Sequence, residues 1–80
     1  MMVVDYYTIL LFGYEVSQKK TVNLGVYTLK FHRKKTRKGK EVDFLYIVEL
    51  IRGGEVVEKG VFTEYSNAVV YAGEIFCRFR

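Results

Sequence analysis

Residues Lys30–Lys40 read KFHRKKTRKGK and lie between two apolar, strand-like runs. This segment holds seven of the thirteen basic residues and no acidic residue, so it carries +7 while the other 69 residues sum to −3. The seven basic residues are Lys30, Arg33, Lys34, Lys35, Arg37, Lys38 and Lys40. The pattern predicts a β-hairpin with a strongly positive end, which we call the basic tip (Lys30–Lys40).

Length and composition predict one domain spanning residues 1–80. Eighty residues leave no room for a second core, and an apolar fraction of 50% is typical of a globular chain. The one cysteine, Cys77, has no partner for an internal disulfide, and the N-terminal residues lack the basic region of a signal peptide. The longest uncharged run in this part of the chain, Tyr6–Tyr14, is shorter than the roughly 20 residues of a membrane helix. We therefore expect a cytoplasmic protein with no membrane partner.

Four segments have the composition of β-strands. They are Val3–Val16, Thr21–Arg33, Val42–Arg52 and Glu55–Phe62. The first is rich in β-branched and aromatic residues, which favour strands. In the second, the apolar alternation slips by one residue, so a β-bulge is predicted at Gly25. Gly53 and Gly54, between the third and fourth segments, predict a two-residue turn with positive φ.

The C-terminal residues predict one helix. Thr63 is the predicted N-cap, and the apolar residues that follow have the spacing of one helical face: Tyr65, Ala68, Val69, Ala72, Ile75, Phe76 and Phe79. Gly73 costs about 1 kcal/mol relative to Ala in a helix interior. Either it is simply tolerated, or it marks close approach of another backbone, such as a partner's helix. The predicted architecture is α+β, a four-stranded antiparallel meander followed by one helix packed on one face (ββββα).

The residue types needed for catalysis or metal binding are scarce. His32 and Cys77 are the only residues of their kinds and stand 45 positions apart, which does not match the spacing of a metal site. His32 lies among basic residues rather than beside a nucleophile, and no glycine-rich phosphate loop occurs. We therefore expect no enzyme, no catalytic residue, no metal site and no cofactor.

The basic tip predicts a polyanion site, because Lys and Arg side chains neutralise phosphates and release counterions. Arg52 is a lesser candidate, since a turn at Gly53-Gly54 would place it opposite Glu55. The predicted nucleic-acid contacts are Lys30, Arg33, Lys34, Lys35, Arg37, Lys38, Lys40 and Arg52. Three aromatic residues near the tip are candidates for stacking on bases: Tyr27, Phe31 and Tyr46. Asp43 and Glu49 alternate onto the face of the third strand away from its apolar stripe, so binding is expected at the hairpin end rather than across the sheet.

Other interpretations of the same residues remain open. The tip could be a solvated hairpin, or the chain a protein-binding inhibitor or adaptor of the kind that small viral genomes encode, docking on an acidic protein surface or through a strand edge. The helix flank formed by Ser66, Val70, Gly73 and Cys77 is a candidate docking surface. Apolar surface in excess of what 80 residues can bury predicts a homodimer. A structural homo-oligomer is the third possibility.

Residues 44–76 read as a strand, the Gly53-Gly54 turn, a strand ending KGVF, Thr63 and a helix. This order resembles the DNA-binding domains of a three-stranded sheet and one helix found in tyrosine recombinases (arm-binding domains) and plant ethylene-response factors. Gly60, Phe62 and Thr63 match the glycine, aromatic residue and capping Thr that precede the helix in that family. The resemblance implies DNA binding through basic and aromatic residues on the sheet face, although the chain lacks tryptophan and its last strand carries acidic residues. Four strands before a helix, with KGV at its start, are also similar to dimeric single-strand-binding transcriptional coactivators.

Overall fold

The computed structural model describes residues 5–80, in which one helix precedes and one follows the strands of a four-stranded sheet. In chain order the elements are α1 (Tyr6–Lys19), β1 (Thr21–Leu24), β2 (Tyr27–Lys38), β3 (Glu41–Arg52), β4 (Glu55–Phe62) and α2 (Tyr65–Phe79). The strands are antiparallel and lie in the order β1-β2-β3-β4. The predicted α+β class, four-stranded antiparallel sheet and C-terminal helix are therefore confirmed. The prediction of a single helix is wrong, and the predicted second strand, Thr21–Arg33, contains β1 and the start of β2.

Most of the predicted first strand, Val3–Val16, is helix α1, and Val3 and Val4 lie outside the described residues. Asp5 caps this helix, because its carboxylate accepts hydrogen bonds from the backbone N–H and hydroxyl of Thr8 at 2.8 and 2.9 Å. The inward positions are Ile9, Leu10, Phe12, Gly13, Val16 and Ser17. Their spacing is helical, but a glycine and a serine occupy two of the six, so the apolar pattern did not reveal a helix.

The predicted bulge at Gly25 is also wrong, because the chain reverses there. Gly25 and Val26 form the turn between β1 and β2, and Gly25 has a φ of +66°. Reversal of the chain explains the one-residue slip in the apolar alternation that the sequence shows. At the β3–β4 hairpin the prediction is confirmed, since Gly53 and Gly54 both have positive φ, 58° and 81°.

Both helices lie on the same face of the sheet, α1 over β1 and β2 and α2 over β2, β3 and β4. The buried core lies between the helices and the sheet: Val16, Leu24, Leu29, Phe31, Val48, Leu50, Ala68, Val69, Ala72 and Ile75. The stripe predicted for α2 thus supplies the core as expected. The predicted cap does not form as proposed, because Glu64 rather than Thr63 occupies the N-cap and its side chain makes no capping hydrogen bond.

The two helices run antiparallel and approach closely at two glycines. A Cβ atom on Gly13 would lie 1.9 Å from the carbonyl oxygen of Val69, and one on Gly73 would lie 2.0 Å from that of Ile9. Close backbone approach, one of the two interpretations of Gly73, is therefore correct, but the approaching helix is the chain's own α1. The contact fixes α1 across the sheet, with its C-terminal end beside the start of α2.

Candidate nucleic-acid interface

The β2–β3 hairpin extends beyond the rest of the sheet. The last pairing of β4 with β3 joins Phe62 to Tyr46, and the first pairing of β1 with β2 joins Thr21 to Lys30. From the Lys34–Leu45 pair outward, β2 and β3 pair only with each other, as far as Lys38 and Glu41. We call residues 33–46 the basic arm. Six residues on each strand, at about 3.4 Å per residue, give it a length of roughly 20 Å, and it contributes to a longest molecular dimension of 49 Å.

The structure corrects the description of the basic residues as a hairpin tip. β2 continues through Lys38, and only Gly39 and Lys40 form the turn, with a φ of +65° at Gly39. Most of the cluster therefore lies along a strand, where successive side chains point to opposite faces. The strand thus divides the cluster into two groups with different surroundings.

One face of the arm is continuous with the core face of the sheet. Leu29 and Phe31 point towards the helices, so the next alternate residues of β2 share their face: Arg33, Lys35 and Arg37. Their partners on β3 are Tyr46, Phe44 and Val42. This helix-side face of the arm combines three cations with two aromatic rings and contains no acidic residue. Arg33 and Arg37 are separated by about 14 Å along the strand.

The opposite face of the arm has mixed charge. It carries Lys34 and Lys38 from β2, but Lys38 lies directly across from Glu41, and Thr36 donates its hydroxyl proton to the backbone carbonyl of Asp43 at 3.2 Å. The carboxylates of Glu41 and Asp43 on this face would repel a phosphate backbone. Of the two faces, the helix-side face is therefore the better polyanion surface.

The net charge of the protein is located in the arm. Residues 33–46 contain six basic and two acidic residues, a net charge of +4, which equals the formal charge of the whole chain. The remaining 66 residues hold seven basic and seven acidic residues and sum to zero. The molecule is thus an electrically balanced body with one positively charged projection, an arrangement that steers polyanions to the arm.

The base of the arm forms a shallow concavity of about 480 Å³ on the helix side. It is lined by Ser17, Gln18, Lys20, Phe31, His32, Arg33, Tyr46 and Tyr65. Lys20, the residue that ends α1 in a left-handed conformation, adds a further cation there. The Arg33 guanidinium lies 4.4 Å from the centre of the Phe44 ring, a cation–π contact that holds this side chain along the arm.

The aromatic floor of the concavity is held by contacts to both helices. Tyr65 packs edge-on against Phe31 and Tyr46, with ring centres 6.0 and 5.5 Å apart. Its hydroxyl lies 2.6 Å from Ser17 Oγ, which donates its own proton to the carbonyl oxygen of Tyr14 at 2.7 Å. Because the Ser17 proton is used, the Tyr65 hydroxyl is the donor of the shorter bond. These contacts connect α1, α2 and the sheet at the point where the arm begins.

The open face of the sheet, away from the helices, differs from the helix-side face of the arm. Lys30, Glu49 and Lys59 lie side by side on three adjacent strands and alternate in charge. His32 is on the same face, and its Nε2 lies 2.7 Å from Glu49 Oε1. A row of alternating charges suits a solvated surface and provides no acid-free path for a phosphate backbone.

The structure therefore does not bring all the predicted nucleic-acid contacts together on one surface. Six of the eight lie in the arm, whereas Lys30 is on the open face over the body of the sheet. Arg52 is opposite Tyr27 at the far end of β3, about 33 Å from Val42 along the strand, and its guanidinium lies 5.6 Å from the centre of the Tyr27 ring.

The aromatic candidates divide in the same way. Phe31 is buried in the core, and Tyr27 packs on Phe79 with ring centres 4.8 Å apart, so neither is placed to stack on a base near the arm. Tyr46 is half-buried at the base of the arm. Sequence reasoning missed Phe44 and Lys20, although the alternation of Val42, Phe44 and Tyr46 was a signal that Phe44 shares the face of the arm cations.

Comparison of the chain with protein-family models, curated proteins and solved structures finds no match. The resemblance to DNA-binding domains therefore stays a prediction, as does the cytoplasmic location. Within residues 5–80, no helix has the length and apolar composition required to cross a bilayer.

Proposed function

We propose that the protein binds nucleic acid through the helix-side face of its basic arm. The observation that carries the proposal is the grouping of Arg33, Lys35 and Arg37 on a face without acidic residues, on a projection that holds the entire net charge of the chain. Lys34, Lys38 and Lys40 add to the positive potential from the other face and the turn. Phosphates are the expected ligands of such a row, because each neutralised phosphate releases counterions.

The shape of the arm favours the proposal. A two-stranded β-ribbon fits the major groove of B-DNA, which is about 12 Å wide. The arm is such a ribbon, with no third strand beside residues 33–45. Phe44 and Tyr46 lie directly across from Lys35 and Arg33 on the same face, where they provide apolar contact to bases or sugars. Contacts between the arm cations and the phosphate backbone give affinity without sequence preference.

A second candidate function rests on the edges of the arm. Because β1 and β4 end before it, the outer edges of residues 33–38 and 41–45 have no neighbouring strand. An unpaired edge can accept an extended peptide as an additional strand, and an acidic peptide would be favoured by the arm's charge. Lysines on an edge also prevent unwanted pairing between chains, so this candidate requires a partner of strongly acidic character.

A comparison of the two faces tests the proposal. The variant Arg33→Ala/Lys35→Ala/Arg37→Ala removes the helix-side cations, and the matched control Lys30→Ala/Lys34→Ala/Lys38→Ala removes three exposed cations from the other face. Each variant lowers the net charge by three, so a purely long-range effect would be equal in both. Binding to labelled double-stranded DNA, single-stranded DNA and RNA is measured by fluorescence anisotropy over a range of salt concentrations.

Loss of three phosphate contacts should reduce the log–log salt slope on duplex DNA by about 2.7, since each contact contributes about 0.9. At 0.1 M salt the same counterion term corresponds to a loss of affinity of about 500-fold. The control variant should lose much less of the salt slope and of the affinity. Equal losses in the two variants would refute the assignment to one face. Failure of the unmodified protein to bind any of the three nucleic acids at low salt would refute the proposed function and favour the peptide-binding candidate.

A further inference from the structure

Helix α1 exposes an apolar stripe on the side that faces away from α2. Tyr7, Leu11 and Tyr14 are 75%, 62% and 55% exposed. Their spacing of four and three residues places them on one face of the helix. From Tyr6 to Tyr14 the helix contains no charged residue, so it has no charged face over these residues, and a helix that lacks such a face is normally covered.

The rest of the surface shows that this stripe is unusual. The open face of the sheet also exposes apolar side chains, among them Val57 and Val61, but the row formed by Lys30, Glu49 and Lys59 crosses it. The α1 stripe is not crossed by charges; the ion pair between Glu15 and Lys19, at 2.9 Å, lies beyond its C-terminal end. Uncovered apolar area rimmed by polar groups indicates an interaction surface.

We propose that the α1 stripe is the dimer interface of this protein, occupied by the same stripe of a second copy. A two-fold axis through Leu11 would pair it with Leu11 of the partner subunit and place Tyr7 against Tyr14 of the partner subunit. Such an interface is self-complementary, as a two-fold axis requires. The helices are antiparallel in this arrangement, so their dipoles oppose each other favourably.

Charge supports the antiparallel arrangement. Asp5 precedes the helix, and Lys19 and Lys20 end it. In an antiparallel pair centred on Leu11, the acidic end of each α1 lies beside the basic end of the other. A parallel pair would instead place like charges together, so it is disfavoured.

The exposed area supplies most of what a dimer interface needs. With roughly 150–200 Å² for each large side chain, the exposed fractions of Tyr7, Leu11 and Tyr14 correspond to roughly 350 Å² per subunit. Two copies would bury about 700 Å² from these residues alone, the greater part of the ~1,000 Å² that a specific interface requires. Tyrosine is also enriched in such interfaces.

A lipid surface is a poorer occupant of this face. Helices that lie on membranes have Lys and Arg along their polar side. In α1 the only basic residue is Lys19, which is paired with Glu15.

A charge-reversal pair at the two-fold axis tests the interface. Leu11→Glu and Leu11→Lys each place like charges against each other in a homodimer, whereas an equimolar mixture places Glu against Lys. Because Leu11 is exposed, both variants should fold, which circular dichroism verifies. Val26→Glu, at a residue 68% exposed in the β1–β2 turn, is the control for adding a charge to an exposed apolar site. Sedimentation equilibrium gives the dimer dissociation constant.

The unmodified protein and Val26→Glu should sediment as dimers, and each Leu11 variant should have a dissociation constant at least 100-fold higher. Their mixture should recover dimers. A monomeric unmodified protein, or Leu11 variants that dimerise as well as Val26→Glu, would overturn the proposal. Monomers that bind anionic vesicles in a Leu11-dependent manner would assign the stripe to a lipid surface instead. The result does not depend on nucleic-acid binding, because the stripe and the arm share no residue.

Discussion

The close contact between the two helices makes a quantitative prediction about Gly13 and Gly73. A Cβ atom needs at least about 3.0 Å from a carbonyl oxygen, yet alanine would place it at 1.9 Å in one case and 2.0 Å in the other. The obstructing atoms belong to helix backbone, which cannot rotate aside as a side chain can. The helices must therefore separate by about 1 Å, and the contacts of the neighbouring core loosen with them.

The expected loss of stability follows from two opposing terms. Overpacking of a core costs typically 1–3 kcal/mol, and a backbone obstruction belongs at the upper end. Alanine regains about 1 kcal/mol of helix propensity over glycine. We expect Gly73→Ala to lower the free energy of unfolding by about 2 kcal/mol. For a domain of this size, that corresponds to a decrease in Tm of about 8–16 °C. Urea unfolding followed by circular dichroism measures the free energy directly.

The neighbouring exposed residue Glu74 supplies the control. The difference in stability between Glu74→Ala and Glu74→Gly gives the propensity term in the same turn of α2, and subtracting it isolates the cost of the close contact. The double variant Gly13→Ala/Gly73→Ala should cost little more than either single variant, because one separation of the helices relieves both obstructions. If Gly73→Ala were as stable as the unmodified protein, or if the two single costs were fully additive, the reasoning would be refuted.

Two further predictions concern the ends of the helices. Tyr65→Phe removes the hydroxyl that donates to Ser17 at 2.6 Å and should cost about 1 kcal/mol in urea unfolding; no change would show that the bond contributes nothing. Hydrogen bonds from Thr8 lower the pKa of the Asp5 carboxyl in the folded state. Its stabilising effect is therefore fully present above the unfolded pKa of about 3.9 and is lost as the pH falls through the lower folded value. Asp5→Asn should be less sensitive than the unmodified protein to pH below about 4, and an identical pH profile of unfolding would contradict this.

The correct predictions concern local patterns. The Gly53-Gly54 turn was predictable because two consecutive glycines supply the positive φ that a two-residue hairpin requires. The C-terminal helix was predictable because its buried positions are apolar residues at helical spacing, among them Ala68, Val69 and Ala72. The location of the positive charge was predictable because seven of the thirteen basic residues, and no acidic residue, lie in Lys30–Lys40.

The identity of α1 was not predictable from the same patterns. Its inward face includes Gly13 and Ser17, whereas its outward face includes Tyr7 and Leu11, so the apolar residues did not mark one side of a helix. Gly13 lies in the segment predicted as the first strand, Val3–Val16. Its actual role, the contact with the Val69 carbonyl, exists only when α2 is present. Tertiary packing therefore overrode a β-favouring composition.

By itself, then, the sequence determined that the domain is α+β, where the Gly53-Gly54 turn lies and which segment is positively charged, because these depend on residues near each other in the chain. The tertiary structure decided which side each cation faces. Strand register places Arg33, Lys35 and Arg37 on the acid-free face, and it leaves Arg52 at the opposite end of β3. Strand register depends on contacts across the whole sheet, and a register shift of one residue would move every side chain of a strand to the opposite face. No local sequence pattern therefore specifies which face a cation occupies.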